Sequence, residues 1–165
     1  MLALFGFVAL GMASLGLGVR TELDTFLKRS RGDRLDARLT PSQAAYQMET
    51  RRDGQVLPMR ITEVNGRVIF LNFWGTFCPP CVEELPSLLA MARAQEKHGV
   101  VVLAVSYDDS WETISKFLKD FTSESIPSNF VVVRDPERTE GRDFKSMFGT
   151  KKIPESYLIH DQTTV

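Results

Sequence analysis

The chain contains 165 residues, which is enough for one domain of ordinary size and a short extension. Its 20 basic and 21 acidic residues nearly cancel, and no basic aromatic stripe is present, so a nucleic-acid partner is not expected. Its two cysteines are too few for the multi-bridge framework of a small secreted domain.

The N-terminal segment predicts export and attachment to a membrane. Residues 1–19 carry no charge and are mostly Leu, Ala, Phe, Val and Gly, which suits a tilted membrane span or a signal peptide. A buried core helix is the alternative. Gly16 and Gly18 are compatible with cleavage, but we expect an uncleaved signal anchor. The prediction is therefore a single-pass protein of the cell membrane whose domain lies on the extracytoplasmic, periplasmic side.

The basic residues near this segment argue in the opposite direction. None precedes it, and those that follow are Arg20, Lys28, Arg29, Arg31, Arg34 and Arg38. The positive-inside rule alone would place the domain in the cytoplasm. An earlier start with a basic region would remove this conflict, so we expect the sequence to be a fragment. Residues 20–40 mix both signs of charge and predict a solvated juxtamembrane linker.

From residue 41 onward the pattern predicts a folded domain. Tyr46–Glu49 and Gln55–Ile61 are expected to be short strands of an N-terminal hairpin around the turn signal Asp53-Gly54. The apolar run Val68–Phe73 is typical of a central strand that is buried on both faces of a sheet.

Strands and helices then alternate. A helix is predicted to follow Cys78 and to run to about Lys97. The strand Val100–Ser106, the helix Trp111–Phe121 and the strand Phe130–Val133 come next. Crossovers of about a dozen residues or more imply parallel strands covered by helices.

Both cysteines lie where the central strand meets the first of these helices. Unpaired N–H groups and the helix dipole favour an anion at a helix start, so the thiolate of Cys78 should be stabilised. Cys81 is close enough to attack a mixed disulfide formed at Cys78. Two small buried residues or a labile structural bridge are the alternatives, but the position favours a redox-active pair.

These residues resemble a known family. The sequence around the cysteines resembles the membrane-anchored thioredoxin-like proteins of the TlpA/ResA type. The resemblance is carried by Val68–Trp74, by Gly75-Thr76-Phe77-Cys78-Pro79-Pro80-Cys81 and by Glu84-Leu85-Pro86. A second segment that carries the resemblance runs from Gly149 to Pro154, before the predicted strand Ser156–Ile159. The resemblance implies an α/β thioredoxin-like fold with a central mixed sheet flanked by helices. It also implies a further edge strand and a final helix, so the domain at 41–165 is expected to be incomplete.

The resemblance also implies catalytic roles. Cys78 would be the exposed attacking thiol and Cys81 the resolving thiol, with their disulfide as the redox centre and no separate cofactor. Glu84 holds the position of an acid found near the cysteines of ResA-like proteins. Partial burial would raise its pKa and let it exchange a proton with Cys81, although a solvated carboxylate like Glu83 is the alternative. Thioredoxin instead has an aspartate where this chain has Asn72.

A substrate-binding surface is predicted around the cysteines. Pro154 matches the cis-proline loop that thioredoxin-like folds pack against the two cysteines, with an ordinary loop proline as the alternative. Ile153 would offer its backbone to an extended substrate. Trp74, Phe77 and Ile153 are expected to form an apolar docking rim or to be partly core. The remaining residues predicted here are Pro79 and Pro80, which shape the loop.

The predicted function is a membrane-tethered thiol–disulfide oxidoreductase. The resemblance implies reduction of haem-binding cysteines in apocytochrome c, as in cytochrome c maturation, or of copper-site cysteines, with electrons from a membrane thiol reductase. A copper(I) chaperone is an alternative, but it would recruit a third soft ligand and no nearby Met-rich or His motif offers one. A thiol peroxidase would need a Thr-x-x-Cys setting, whereas Thr76 stands two residues before Cys78. A structural zinc site would need two further ligands besides the two cysteines, and the sequence around them offers none.

Overall fold

The computed structural model describes residues 38–137 and 139–160. The predicted signal anchor at 1–19, nearly all of the predicted linker at 20–40 and residues 161–165 lie outside this part of the chain. Within it, no helix has both the length and the apolar character that a membrane crossing requires.

The described residues form one mixed sheet. Its strands are β1 (Met48–Arg52), β2 (Gln55–Met59), β3 (Val68–Trp74), β4 (Val100–Ser106), β5 (Phe130–Arg134) and β6 (Glu155–His160). They lie in the order β2-β1-β5-β4-β3-β6. The pairs β3–β4 and β4–β5 are parallel, as the predicted crossovers require, whereas β1 and β6 pair antiparallel with their neighbours. The mixed sheet with its helices confirms the α/β part of the predicted fold class, and the predicted N-terminal membrane or signal helix lies outside the described residues.

The helices are α1 (Pro41–Ala45), α2 (Pro79–Gln95) and α3 (Trp111–Phe121), with 3₁₀ turns at Ile61–Glu63, Glu96–His98 and Lys145–Phe148. The sequence pattern did not predict α1, which is a short helix held by a capping box between Thr40 and Gln43. The α2 helix and its 3₁₀ continuation end at Gly99, which adopts the left-handed conformation that glycine tolerates.

The hairpin differs in its boundaries from the prediction. Asp53 and Gly54 both have positive φ angles, of 50° and 81°, and this two-residue turn pairs Arg52 with Gln55. The turn sets the register of the two strands, and their pairing ends at Met48 and Met59. The strand β1 therefore starts at Met48 rather than at Tyr46. The strand β2 stops at Met59, because the chain then turns to place Ile61, which is fully buried, in the core.

The central strand β3 carries the core and positions the site. Phe73 is fully buried, and its ring contacts the rings of Tyr107, Phe144, Phe148 and Tyr157. Antiparallel pairing of β6 with β3 sets Glu155 opposite Phe73. The loop that precedes β6 therefore lies next to the segment that follows β3, where the cysteines are.

Candidate active site

Cys78 and Cys81 form a disulfide at the start of α2. Cys78 is the N-cap residue with extended backbone, and Cys81 lies in the first turn. The S–S distance is 2.11 Å and the Cα–Cα distance is 5.3 Å. Cys78 is 7 % exposed and Cys81 is 1 % exposed. The predicted order of exposure holds, but the expectation of an exposed Cys78 is wrong for this oxidised form, because its sulfur faces the backbone of the 153–154 loop.

That loop carries a cis peptide bond between Ile153 and Pro154, as predicted. The carbonyl oxygen of Ile153 lies 3.7 Å from Sγ of Cys78. When Cys78 is a thiol, its S–H group can donate to this oxygen. The side chain of Ile153 packs partly against the core, so its backbone is the part that faces the cysteines.

The acid near the cysteines belongs to a buried polar cluster. The side-chain amide of Asn72 donates to Oε1 of Glu84 over 2.8 Å and to Oγ of Ser156 over 3.0 Å. Asn72 is buried, and its Oδ1 atom has no hydrogen-bond partner among the described residues. Burial raises the pKa of Glu84, while the hydrogen bond from Asn72 acts in the opposite direction. Glu84 is therefore half-buried, as the expected rise of its pKa requires, and its catalytic role stays a prediction.

Replacement of Glu84 with glutamine is expected to slow disulfide exchange near neutral pH by about 100-fold, the low end of what a positioned acid or base contributes. Glutamine keeps an oxygen that can accept from Asn72 but cannot carry the proton. The measurement is the rate of exchange against pH, with Glu83→Gln on the exposed side of α2 as the control. Equal rates in the two variants would contradict a role in proton transfer.

The same substitution should change how stability depends on pH. The pKa of Glu84 is raised from its ordinary value of 4.5, so the folded state binds the proton more tightly than the unfolded state. This contribution to stability is fully present below about 4.5 and is lost as the pH rises through the raised pKa. In Glu84→Gln, the free energy of unfolding measured in urea should no longer show the part of its decrease with pH that Glu84 causes. An unchanged profile would show that Glu84 is not desolvated.

Asp108 holds the loop before Cys78 and was not predicted. It is 3 % exposed and lies two residues after the end of β4. Its Oδ2 atom accepts from the backbone N–H of Thr76 at 3.1 Å and from the Ser106 hydroxyl at 2.7 Å, and its Oδ1 atom accepts from the Thr76 hydroxyl. One feature of the sequence could have indicated Asp108, namely the polar residues that follow the apolar run of β4. Parallel neighbouring strands end at the same edge of a sheet, so these residues lie near the cysteines that follow β3.

Replacement of Asp108 with asparagine is expected to lower the free energy of unfolding by about 1–3 kcal/mol, because the amide NH₂ that replaces one carboxylate oxygen cannot accept the hydrogen bonds of that oxygen. The rate of disulfide exchange should fall as well, since Thr76 is two residues from Cys78. Urea unfolding and exchange kinetics measure the two effects. Asp109→Asn, at an exposed neighbouring position, is the control, and an equally small effect of both variants would rule out the role of Asp108.

The surface around the disulfide differs from the prediction at one residue. Trp74 is 2 % exposed, and its ring lies 6.0 Å from that of Phe117 on α3, so it is a core residue and not part of a docking rim. Strand alternation explains this, because Trp74 points to the opposite face of the sheet from Phe73. Phe77 is 64 % exposed. Pro79 and Pro80 are exposed in the first turn of α2.

Comparisons with known proteins agree with this geometry. The model of the AhpC/TSA family matches residues 41–165. Thiol-disulfide oxidoreductase ResA of Halalkalibacterium halodurans is 28 % identical over 152 residues, which cover 92 % of this chain and 77 % of that protein. ResA of Bacillus subtilis is 29 % identical, with 65 % of this chain and 55 % of that protein covered, so this match spans about half of the relative.

Solved structures show the same fold. A Chlorobium tepidum protein named as a thiol:disulfide interchange protein DsbE is 27 % identical, with 72 % of this chain and 76 % of that chain covered and a TM-score of 0.54. StoA from Bacillus subtilis is 23 % identical, with 75 % of this chain and 86 % of that chain covered and a TM-score of 0.52. This match supports the fold alone.

Proposed function

The chain belongs to the AhpC/TSA family, as a thioredoxin-like protein of the TlpA/ResA type, and from this premise we propose that it is a membrane-anchored, extracytoplasmic reductase of protein disulfides. Its class is thiol–disulfide oxidoreductase, as its relatives are named. The observation that carries the proposal is the Cys78–Cys81 disulfide at the start of α2, within 3.7 Å of the cis-proline loop.

The reaction transfers two electrons from the dithiol to the substrate. The thiolate of Cys78 attacks one sulfur of a substrate disulfide, forms a mixed disulfide and releases the other substrate sulfur as a thiolate, which takes up a proton. Cys81, deprotonated by Glu84, then attacks Sγ of Cys78. The bond between Cys78 and the substrate breaks, the second substrate thiolate leaves and the Cys78–Cys81 disulfide forms. A dithiol donor must reduce this disulfide before the next cycle.

The two prolines support the reducing direction. The expected stabilisation of the Cys78 thiolate depends on the unpaired N–H groups that a helix start normally offers, and the two prolines weaken it. Pro79 and Pro80 have no N–H, and the N–H of Cys78 already donates to Gly75 over 3.2 Å. The N–H of Cys81 is then the remaining unpaired donor of the first turn. A less stabilised thiolate makes the dithiol form a stronger reductant, since stabilising that form is what makes an oxidant.

The partners proposed here follow from the same premise. The substrates would be proteins with cysteine pairs, such as apocytochrome c or proteins with copper-site cysteines, and a membrane thiol reductase would supply the electrons. The uncharged residues 1–19 support an anchor that keeps the domain near such a donor.

Thiol peroxidase is the less favoured enzyme class. The Thr76 hydroxyl donates to Asp108 and so does not donate to Cys78. Peroxide consumption by the dithiol form is the measurement that separates this class from disulfide reduction.

The experiment that tests the proposal is the equilibrium reduction potential of the Cys78–Cys81 pair in the purified full chain, with Cys78→Ser as the blank. A potential of about −230 to −270 mV would support a reductase. A potential of about −120 mV would make the protein an oxidant and overturn the direction. A folded sample with no reversible two-electron couple would overturn the oxidoreductase class.

A further inference from the structure

An open groove of about 500 Å³ lies beside the disulfide. We call it the basic groove. Its lining combines two aromatic residues and one aliphatic residue with four charged residues: Phe77, Tyr107 and Ile153, and Lys145, Lys151, Lys152 and Asp143.

The groove begins where a substrate must be during exchange. Phe77 immediately precedes Cys78, and the carbonyl oxygen of Ile153 lies 3.7 Å from the sulfur of Cys78. A polypeptide joined to Cys78 by a mixed disulfide therefore has its neighbouring residues next to the groove. The exposed ring of Phe77 gives apolar side chains of that polypeptide a contact surface.

The charges in the groove are unequally compensated. Asp143 is 2 % exposed, and Oδ2 of Asp143 pairs with Nζ of Lys145. The ammonium group of this lysine also lies 5.2 Å from the centre of the Tyr107 ring, a distance that suits a cation–π interaction. Lys151 and Lys152 are exposed and form no salt bridge with any residue in the described ranges. Glu155 follows on β6 but does not line the groove.

We propose that the basic groove selects substrates that carry acidic residues beside their disulfide. Two uncompensated ammonium groups attract a carboxylate, raise the rate of encounter with an acidic segment and repel a basic one. The geometry places this selection next to Cys78, so charge would act on the formation of the mixed disulfide. This inference rests on the proposed function, since it concerns the substrate of the same cysteine pair.

The test uses the full chain in its dithiol form, freed of the reductant used to prepare it. Synthetic peptides with one internal disulfide, which differ only in whether Glu, Gln or Lys flanks the cysteines, are mixed with it in single turnover. The second-order rate constant is expected to be about 10-fold larger for the Glu peptide than for the Gln peptide at low salt. It should be smallest for the Lys peptide, and the differences should shrink as salt is raised.

The double variant K151Q/K152Q should lower the ratio of the Glu rate constant to the Gln rate constant from about 10 to about 1. The matched control is K97Q/K119Q, which removes the same charge. Lys97 lies beyond the far end of α2 and Lys119 near the end of α3, and both helices begin at the edge of the sheet where the cysteines lie. This control should keep the wild-type ratio.

Two results would overturn the inference. One is a wild-type ratio near 1, and the other is an equal fall of the ratio in K97Q/K119Q and K151Q/K152Q. Both leave disulfide reduction intact, so they reject the groove's selectivity alone. Failure of the dithiol form to reduce every peptide, including the Gln peptide, would instead reject the proposed function, and with it the inference.

Discussion

The Cys78→Ser variant is expected to lose disulfide exchange by at least about 10⁴-fold, because in the proposed mechanism it removes the attacking thiolate of a pair that acts as a unit. Cys81→Ser should behave differently. The mixed disulfide at Cys78 still forms, but the sulfur that would resolve it is missing, so the complex with the substrate accumulates. The more exposed position of Cys78 in the disulfide supports this order of attack.

Non-reducing electrophoresis and intact-mass measurement after mixing with a disulfide-containing protein distinguish the two variants. Cys81→Ser should show the mass of the protein plus the substrate, released by dithiothreitol, and the double serine variant should not. Ser87→Ala, at an exposed site on α2, is the control for the substitution itself. If the complex accumulates in Cys78→Ser instead, the roles of the two cysteines are reversed.

Replacement of Asp135 with alanine is expected to lower the free energy of unfolding by about 3–5 kcal/mol. Asp135 is fully buried. Its carboxyl group accepts hydrogen bonds from the hydroxyls of Tyr46 and Tyr107, at 2.5 and 2.8 Å, and from the backbone N–H groups of Phe144 and Glu137, at 2.7 and 3.0 Å. Alanine would leave these donors without their acceptor, three of them in or beside the core.

The tyrosines make this loss costly. Burial, reinforced by Asp135, raises the pKa of Tyr46 and of Tyr107 far above the ordinary value, so both hydroxyls stay protonated and need an acceptor. Tyr107 also accepts from the backbone N–H of Lys145 over 2.8 Å. The substitution should therefore disturb one wall of the basic groove as well as the core.

Urea unfolding of the full chain measures this effect. The control is Glu140→Ala, which removes an exposed carboxyl group from the segment that follows Asp135 and should change stability by no more than about 0.5 kcal/mol. A loss below about 1 kcal/mol in Asp135→Ala would mean that water replaces the lost acceptor, and that the network contributes little.

Several features could be predicted from the sequence because they depend on neighbouring residues. The apolar run at 68–73 is a buried strand wherever the sheet lies, and the turn at Asp53-Gly54 requires residues that tolerate positive φ. A pair of cysteines two residues apart at a helix start can form a disulfide through local geometry alone.

Other features depended on contacts between distant parts of the chain. Strand alternation places Trp74 and Phe73 on opposite faces of the sheet, but the burial of Trp74 depends on tertiary packing, which includes its contact with Phe117 on α3. Asp108 and Asp135 each read as a polar residue after a strand, a pattern that equally suits a solvated loop. Their burial became clear only from the hydroxyl and N–H groups that the fold brings to them.

The sequence by itself determined the strands, the helix start and the position of the two cysteines, since these follow from local conformational preferences. The tertiary structure decided which polar groups surround them. The pairing of β6 with β3 brings Ile153 to the disulfide and Ser156 to Asn72, and Asn72 in turn meets Glu84. A buried polar group is stable only when it has a hydrogen-bond partner. The tertiary fold determines which residue is that partner, and the neighbouring residues in the chain do not.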